Sequence, residues 1–552
     1  MQLLTFWNGT GLAVLLALLA ATARADIVLK PEINDGDRIA DVARIVVRVE
    51  SEEGIDKVEF RVGDELRYTD ESVPYVFEWD TIKDPEGPHT LSITAYDSAG
   101  ATRRITLNLI IDNELDQGAD ALAQRAQEAL RNKNTADAIR YSRRALKAEE
   151  GNLLASRTMA GVHAAARDWK KAIAALQGAK GLETSAAALS ELASYRVQQA
   201  LLPDNVANFF ADFSAARDLY RKAADLAVEE QKKRGAENAA AQAIALGDAL
   251  MAAGRYREAV NEYARSARQP DAPLALVNRL ALAYAMDDRL PEAQALLRPL
   301  IRAKKDDPAT RATLALALLR TRQFAEARAL VEPDLAAQVP AALITAAYAD
   351  AALGNRRTAV AFARDAVGLL PDSGDARYAL ALSTTEPRES LQAIERTLAL
   401  APLQNGPLLD YATRLLLTRR QDRIEQALNL TDLALKNEPD NLNARLMQAL
   451  LYLAEKRLTD AEPLLTWVQR KDGKAPDILM ALAIYWDLKD NGPMVSRLLT
   501  AAKDADPRFE RQTPDTPLEL IVTLNRRLLY RAGFFLLPST LYPEGSSGEA
   551  TR

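Results

Sequence analysis

The side chains able to do chemistry are few and scattered along the chain. Cysteine is absent and histidine occurs twice, at His89 and His163. That removes disulfides, thiolate nucleophiles and thiolate metal sites, and leaves too few imidazoles for a multi-histidine metal centre. Asp372-Ser373-Gly374 has the three-residue pattern of an aspartic-protease carboxylate. It falls in a loop between helical stretches, is followed at once by Asp375, and reads as a chance match. Asp80, Asp84, Glu86 and Asp97 could offer oxygen ligands to calcium, although solvated turn carboxylates are the plainer reading. Phe60, Tyr75, Phe77 and Trp79 could form a sugar-stacking face, but their alternation places them in a core. There is no glycine-rich phosphate loop, nucleophile elbow or HExxH pair. No catalytic residue, metal site or cofactor is therefore expected, and the chain reads as a non-enzyme.

The elements around these residues fall into distinct regimes. At 552 residues the chain exceeds what one core can organise, so several structural units are expected. The net charge of −6 is unevenly placed: residues 26–113 carry 20 Asp+Glu against 10 Lys+Arg, and the long remainder is nearly balanced. Bulk charge thus gives no nucleic-acid footprint. Residues 1–25 read as a secretory signal, with an uncharged Leu/Ala-rich stretch at Gly11–Thr22 followed by Ala23-Arg24-Ala25. The first ten residues carry no Lys or Arg, which departs from the usual pattern. A retained signal would be just long enough to span a bilayer as an anchor, the one route to membrane contact. The expected location is periplasmic or extracellular.

From residue 26 to 113 the apolar period is two. Ala43, Ile45, Val47 and Val49 alternate with Val42, Arg44, Val46 and Arg48, and similar alternation recurs at Val58–Val62, Tyr75–Trp79, Leu91–Ala95 and Ile105–Ile111. Turn chemistry at Glu53-Gly54, Gly63-Asp64, Pro85-Glu86-Gly87 and Ser98-Ala99-Gly100 separates them, so six or seven short strands in a small all-β sandwich are expected. The combination KVEFRVGDE, VPYVFEWDT and GPHTLSITAYDSAG resembles the bacterial immunoglobulin-like modules of exported proteins. The resemblance implies a spacer or adhesion unit held together without a disulfide, with Phe60 and Trp79 in the core and His89 as a structural residue.

Helical spacing begins near residue 119. The clearest stretch is GRYREAVNEYARSARQP, residues 254–270, in which Tyr256, Ala259 and Tyr263 lie on one helix face behind a turn glycine. Weaker copies align on Ala138, Ala172, Ala216, Ala293, Ala327, Ala359, Ala427 and Ala461, and several of the gaps are 34 residues. A fixed period of that size marks a solenoid of helix pairs. Small residues such as Gly247, Ala281, Ala315 and Ala347 near the middle of each first helix, and Trp169, Tyr256, Leu290, Phe324 and Leu458 at the start of each second, resemble the tetratricopeptide repeat family. The resemblance implies an all-α superhelical solenoid of about eleven helix pairs over residues 119–510. It also implies a concave groove lined by first helices that receives a protein or peptide segment. Carried over by helical phase, that groove presents Ile244, Asp248, Asn278, Leu282, Leu316, Arg320, Ile344 and Tyr348. One subgroup of the family clamps terminal carboxylates with cations and amides; Ile244, Asp248 and Leu282 stand where those are wanted, so that specificity is not supported. The alternative for each groove position is packing between repeats.

Residues 514–537 contain an amphipathic stretch expected to be a helix capping the last repeat, with a membrane-surface helix as the rival reading. Residues 541–552 read as a disordered tail. The expected function is a non-catalytic, exported scaffold for a protein partner of unknown identity. The alternative is a surface or matrix module whose sandwich binds polysaccharide or mediates adhesion.

Overall fold

The computed structural model describes residues 27–202, 205, 208–235, 238–269, 271–331, 339–417, 423–506, 516–528 and 533–542. Residues 1–26, with the stretch expected as a signal, and residues 543–552 lie outside them. The chain divides into two compact units, Met1–Gly181 and Leu182–Arg552.

The amino-terminal unit opens with eight strands among the described residues: β1 (Val28–Pro31), β2 (Arg38–Ile39), β3 (Val42–Glu50), β4 (Ile55–Val62), β5 (Glu65–Asp70), β6 (Tyr75–Asp80), β7 (Gly87–Asp97) and β8 (Thr102–Ile111). They form a three-stranded sheet, β1-β3-β6, and a five-stranded sheet, β2-β8-β7-β4-β5. Alternation puts one face of each strand inward, and the register pairs Ile45 with Phe77 and Phe60 with Ile93. Phe60, Phe77, Trp79, Leu91 and Ile93 are buried together, with the Phe60 and Phe77 rings 5.3 Å apart. The buried Trp79 indole donates from Nε1 to Asp84 Oδ2 (2.7 Å), which satisfies the one polar atom its burial would strand.

Two helix pairs follow in the same unit, α1 (Ala119–Arg131) with α2 (Thr135–Ala148) and α3 (Leu153–Ala165) with α4 (Trp169–Gln177). The sandwich grips the first pair through arginines. Arg144 on α2, nearly buried, bridges Asp41 through Nε (2.8 Å) and Nη2 (2.6 Å), and Arg143 Nη2 lies 2.6 Å from both Asp80 oxygens. Glu114, at the end of the sandwich, is held by Arg125 (2.8 Å) and Arg144 (3.3 Å). Bidentate arginine pairs fix orientation as well as distance, so sandwich and first pair share one compact unit.

Among the described residues the carboxy-terminal unit holds nine helix pairs. They are α5 (Ala186–Ala200) with α6 (Phe209–Arg234), α7 (Ala239–Ala252) with α8 (Tyr256–Ala267), α9 (Leu274–Met286) with α10 (Leu290–Arg302), and α11 (Pro308–Arg320) with α12 (Phe324–Leu330). Then come α13 (Pro340–Leu353) with α14 (Arg356–Leu369), α15 (Gly374–Ser383) with α16 (Pro387–Leu400), α17 (Asn405–Leu417) with α18 (Arg423–Asn437), α19 (Leu442–Ala454) with α20 (Leu458–Asp472), and α21 (Pro476–Asp487) with α22 (Gly492–Ala505).

One turn geometry joins the helices in eight of the described pairs, in both units. The residue two before the second helix has positive φ at Lys133, Arg167, Gly254, Asp288, Arg322, Gly354, Lys456 and Asp490. The following N–H reaches back five residues, as in Arg255 to Leu250 and Gln323 to Leu318. This is a Schellman-type closure, which favours glycine but accepts other residues at a modest cost. The recurring unit is therefore the turn, and Gly254 and Gly354 are its least strained copies. Within the α7/α8 pair, Gly247 lets the helices meet: a Cβ there would lie 2.2 Å from the Tyr263 ring. Tyr263 in turn donates to Asp248 Oδ1 (2.5 Å).

The array winds back on itself. α5 packs on α16, and α6 on α18. At this seam the fully buried Arg217 donates to Asn405 Oδ1 (3.0 Å), the Tyr256 hydroxyl meets the Gln404 amide (3.0 Å), and the Phe209 ring lies 5.3 Å from Tyr411. Burial depresses the Arg217 guanidinium to about 9.

After α22 the chain returns through α23 (Pro517–Leu528), which packs against α17, α19 and α21. The helix expected as an end cap over residues 514–537 therefore lies along the first helices of three pairs, burying Leu520 and Ile521, because they offer its apolar stripe more apolar surface than one terminal face. It also stops earlier than expected: residues 534–537 have no regular structure and lead into one turn, α24 (Pro538–Leu541). Leu541, expected to begin a disordered tail, is buried.

Two outcomes follow from this packing. Gly247→Ala should lower the urea-unfolding midpoint, with a loss of about 1–3 kcal/mol from overpacking against Tyr263. Burial alone would raise the Glu114 carboxyl, but the Arg125 hydrogen bond and the Arg144 charge outweigh it and hold it below its ordinary value. A depressed carboxylate stabilises the fold above its unfolded pKa, and that contribution is lost as pH falls through the folded one. Glu114→Gln should therefore shrink the drop in melting temperature between pH 7 and pH 3.5.

Candidate functional site

Each residue first considered for chemistry has a structural task. Ser373 caps α15, its Oγ accepting from the Ala376 N–H (3.4 Å), and Asp372 pairs with Arg396 (3.2 Å). The four carboxylates near the sandwich turns already accept protein donors: Asp80 from Arg143, Asp84 from Trp79 and Arg67, Glu86 from the Asn113 N–H, and Asp97 from the Ala99 and Ala101 N–H groups. Among the described residues no cluster of three His, Asp or Glu is placed to hold a metal ion. His89 Nε2 lies 2.9 Å from Pro85 O. Phe60, Tyr75, Phe77 and Trp79 are all buried, as their alternation predicts, so the alternative of a sugar-stacking face built from these four rings is excluded.

The inner face of the carboxy-terminal unit is where polar groups and an occupant converge. Helices α9, α11, α13, α19 and α21 carry long runs of buried residues, such as Ala341–Ala351 without a break. A helix apolar all round is covered all round. Their pair partners cover one side. Along part of the other side runs the chain's own segment Gly533–Tyr542, which starts at α17 and reaches α9.

Contacts along the segment are specific. Gly406 lets the backbone pass: a Cβ there would lie 2.7 Å from Gly533 O. The Phe534 ring lies 4.7 Å from Tyr348 and the Phe535 ring 5.7 Å from Tyr378. The Tyr348 hydroxyl stands 3.4 Å from Phe535 O. Asp375, fully buried, accepts on Oδ2 from the Leu537 N–H (2.9 Å) and the Thr540 hydroxyl (2.8 Å), while its Oδ1 accepts from Ser373 Oγ and the Ala376 N–H. At the far end the Tyr542 hydroxyl accepts from Asn278 Nδ2 (2.8 Å) and donates to Asp307 Oδ2 (3.2 Å), with the Arg279 guanidinium 4.6 Å from its ring centre. Asp307 also caps α11, and Thr310 donates to Asn278 Oδ1 (3.0 Å). Burial raises the Asp375 carboxyl, and its four donors only partly offset this; burial likewise raises the Tyr348 and Tyr542 phenols.

Of the eight expected groove residues, Asn278 and Tyr348 touch this segment. Leu282, Leu316 and Ile344 are fully buried. Arg320, nearly buried, faces Met286 Sδ (3.5 Å) and Asp288 (3.7 Å). Asp248 is committed to Tyr263 and Arg279, and Ile244 is half-buried against the core. Asp375, Asp307, Arg279, Tyr378 and Gly406, which do meet the segment, are absent from the expected set. Asp375 and Asp307 stand at or beside helix N-termini, outside the helical phase used to choose the eight; their helix-start chemistry was the available signal.

Residues 34–93 match the family model for the bacterial Ig domain. With the paired helices and their repeated turn in place, the architecture is decided. The chain joins a bacterial immunoglobulin-like domain to a tetratricopeptide-type helical solenoid. Among solved structures, the hetero-tetramer Cut9–Hcn1 of the APC/C is similar over 74% of this chain and 96% of that one, at 13% identity and a TM-score of 0.44. Fibronectin(III)-like modules of CbhA from Clostridium thermocellum are similar over 16% of this chain and 94% of theirs, at 22% identity and a TM-score of 0.14. Neither likeness bears on what this chain binds. No curated protein matches the sequence. Among the described residues no helix is long and apolar enough to cross a membrane.

Thr540→Val keeps shape and removes one donor to Asp375. It should cost about 1–3 kcal/mol in denaturant unfolding and speed hydrogen exchange at the Leu537 amide.

Proposed function

We propose that this protein is an exported, non-catalytic scaffold whose helical solenoid takes an extended protein segment along its inner face. The observation that carries this is the inner face itself, which already accommodates a segment of the chain, irregular over residues 534–537 and closed by one helical turn, through aromatic contacts and through hydrogen bonds to backbone and side-chain groups. Helical repeat arrays commonly bind in this way, with pockets for side chains and polar groups for the main chain. Export is supported by the signal-like residues 1–25, the absence of cysteine and the immunoglobulin-like domain.

Two measurements test the reading. N-terminal sequencing of the protein from its native cells should begin at Asp26 in an envelope or extracellular fraction; an intact Met1 terminus in the cytosol refutes export. A photo-crosslinking phenylalanine analogue in place of Tyr378, on the receiving helix beside Phe535, should capture a partner protein, whereas one at Glu258 on the polar face of α8 should not. Equal capture from both positions refutes the inner-face assignment.

A further inference from the structure

We propose that Gly533–Tyr542 is a built-in competitor, holding the inner face against a foreign segment of the same chemistry, which binds by displacing it. The proposal rests on the reading of the inner face as a binding site and specifies both its ligand and its regulation.

The inner face is unsuited to standing empty. Without the segment, Asp375 Oδ2 loses both of its donors at a fully buried position, and the Asn278–Asp307 pair loses the phenol between them. Tyr348 and Tyr378 lose the rings they lie against. Buried polar groups left unmatched are costly, so the segment leaves only in exchange for another that restores the same contacts.

The segment is nevertheless held in a way that permits exchange. It pairs in no β-ladder, contains a single helical turn at Pro538–Leu541, and depends on side-chain contacts spaced along it. Its side chains are deeply buried, Phe534, Phe535, Leu536, Thr540 and Leu541 among them, but residues 534–537 carry no regular backbone structure, so the segment opens without unwinding the helices it lies on. The required occupant follows from the contacts: two adjacent aromatic residues, a serine or threonine five positions after the second, and a tyrosine two positions further on, as in Phe534-Phe535, Thr540 and Tyr542. A second copy of this chain is the weaker candidate. Exchange of identical segments leaves every site filled as before and adds the entropy cost of association, whereas a foreign segment brings contacts of its own.

The test uses the full chain and a labelled synthetic peptide of sequence GFFLLPSTLY, residues 533–542. Fluorescence anisotropy should show the peptide binding the Phe534→Ala/Phe535→Ala chain at least ten-fold more tightly than the parent, because the internal segment is weakened and the receiving helices are untouched. Hydrogen exchange on the parent chain should show the amides of residues 535–541 opening well below the free energy of α13. Equal affinity for parent and variant overturns the competitor and leaves the binding reading intact. Binding to neither chain, with residues 535–541 exchanging only together with α13, overturns both and makes the segment a permanent part of the core. A dimer of the parent chain that dissociates on addition of the peptide overturns the foreign occupant in favour of a second copy. If the variant does not fold, the exchange measurement on the parent still decides.

Discussion

A helix that is apolar on every side must be covered on every side, and this constraint governs the carboxy-terminal unit. In a stack of helix pairs the second helices need one buried face and keep a polar one, as the sequence of α8 shows with Tyr256, Ala259 and Tyr263 inward and Arg257, Glu258 and Arg265 outward. The first helices are different. α13 reads PAALITAAYADAAL, with no polar face to give to water, so stacking on α14 and on neighbouring pairs leaves one of its sides still to be covered. Winding the array back on itself and returning the chain through α23 and Gly533–Tyr542 are two responses to that one requirement.

The covering is chemically selective as well as apolar. An apolar plug would satisfy α13 but would leave Asp375 Oδ2 without its donors and would remove the phenol that Asn278 Nδ2 and Asp307 Oδ2 share, although Asn278 and Asp307 also bond each other (2.9 Å). These three are served by a backbone N–H, a hydroxyl and a phenol, each from a different residue of the segment. Such matching adds little net stability per hydrogen bond, yet a mismatch costs the full desolvation of the unpaired group. Polar groups buried on the inner face therefore set register and direction, while the rings of Tyr348 and Tyr378 pack against Phe534 and Phe535. Gly406 completes the fit by permitting a backbone approach that any side chain would block.

Much of this architecture was legible in the residues, because it depends on local periodicity. Alternation located the sandwich strands that face a core, and the 34-residue spacing of alanines located the helix crossings, with Gly247 and Tyr263 as the tightest case. Strands β1, β2 and β5 escaped: β1 has four residues and β2 two, and β5 is an edge strand whose Leu66 and Tyr68 are exposed, so none gives a run of alternation long enough to read. The inner segment escaped for another reason. Its partners lie far away in sequence, 162 residues between Leu537 and Asp375 and 264 between Tyr542 and Asn278, and no local pattern encodes such a pairing. An amphipathic stretch at α23 shows that something must cover it, but the choice of α17, α19 and α21 over the end of the array is a property of the assembled surface.

The same distance in sequence bears on function. A segment joined to its site through a long chain pairs with it intramolecularly, at an effective concentration set by its tether, and a free competitor must exceed that concentration or bind more tightly to replace it. Weak foreign segments are therefore rejected without any repulsive contact, simply because the site is filled. Only a ligand that reproduces the paired aromatics and the donors to Asp375, and adds contacts beyond them, gains enough to displace the resident. On the proposed reading, selectivity on this inner face would come from the strength of the internal occupant, and substitutions in Phe534–Tyr542 would tune it without altering the receiving helices.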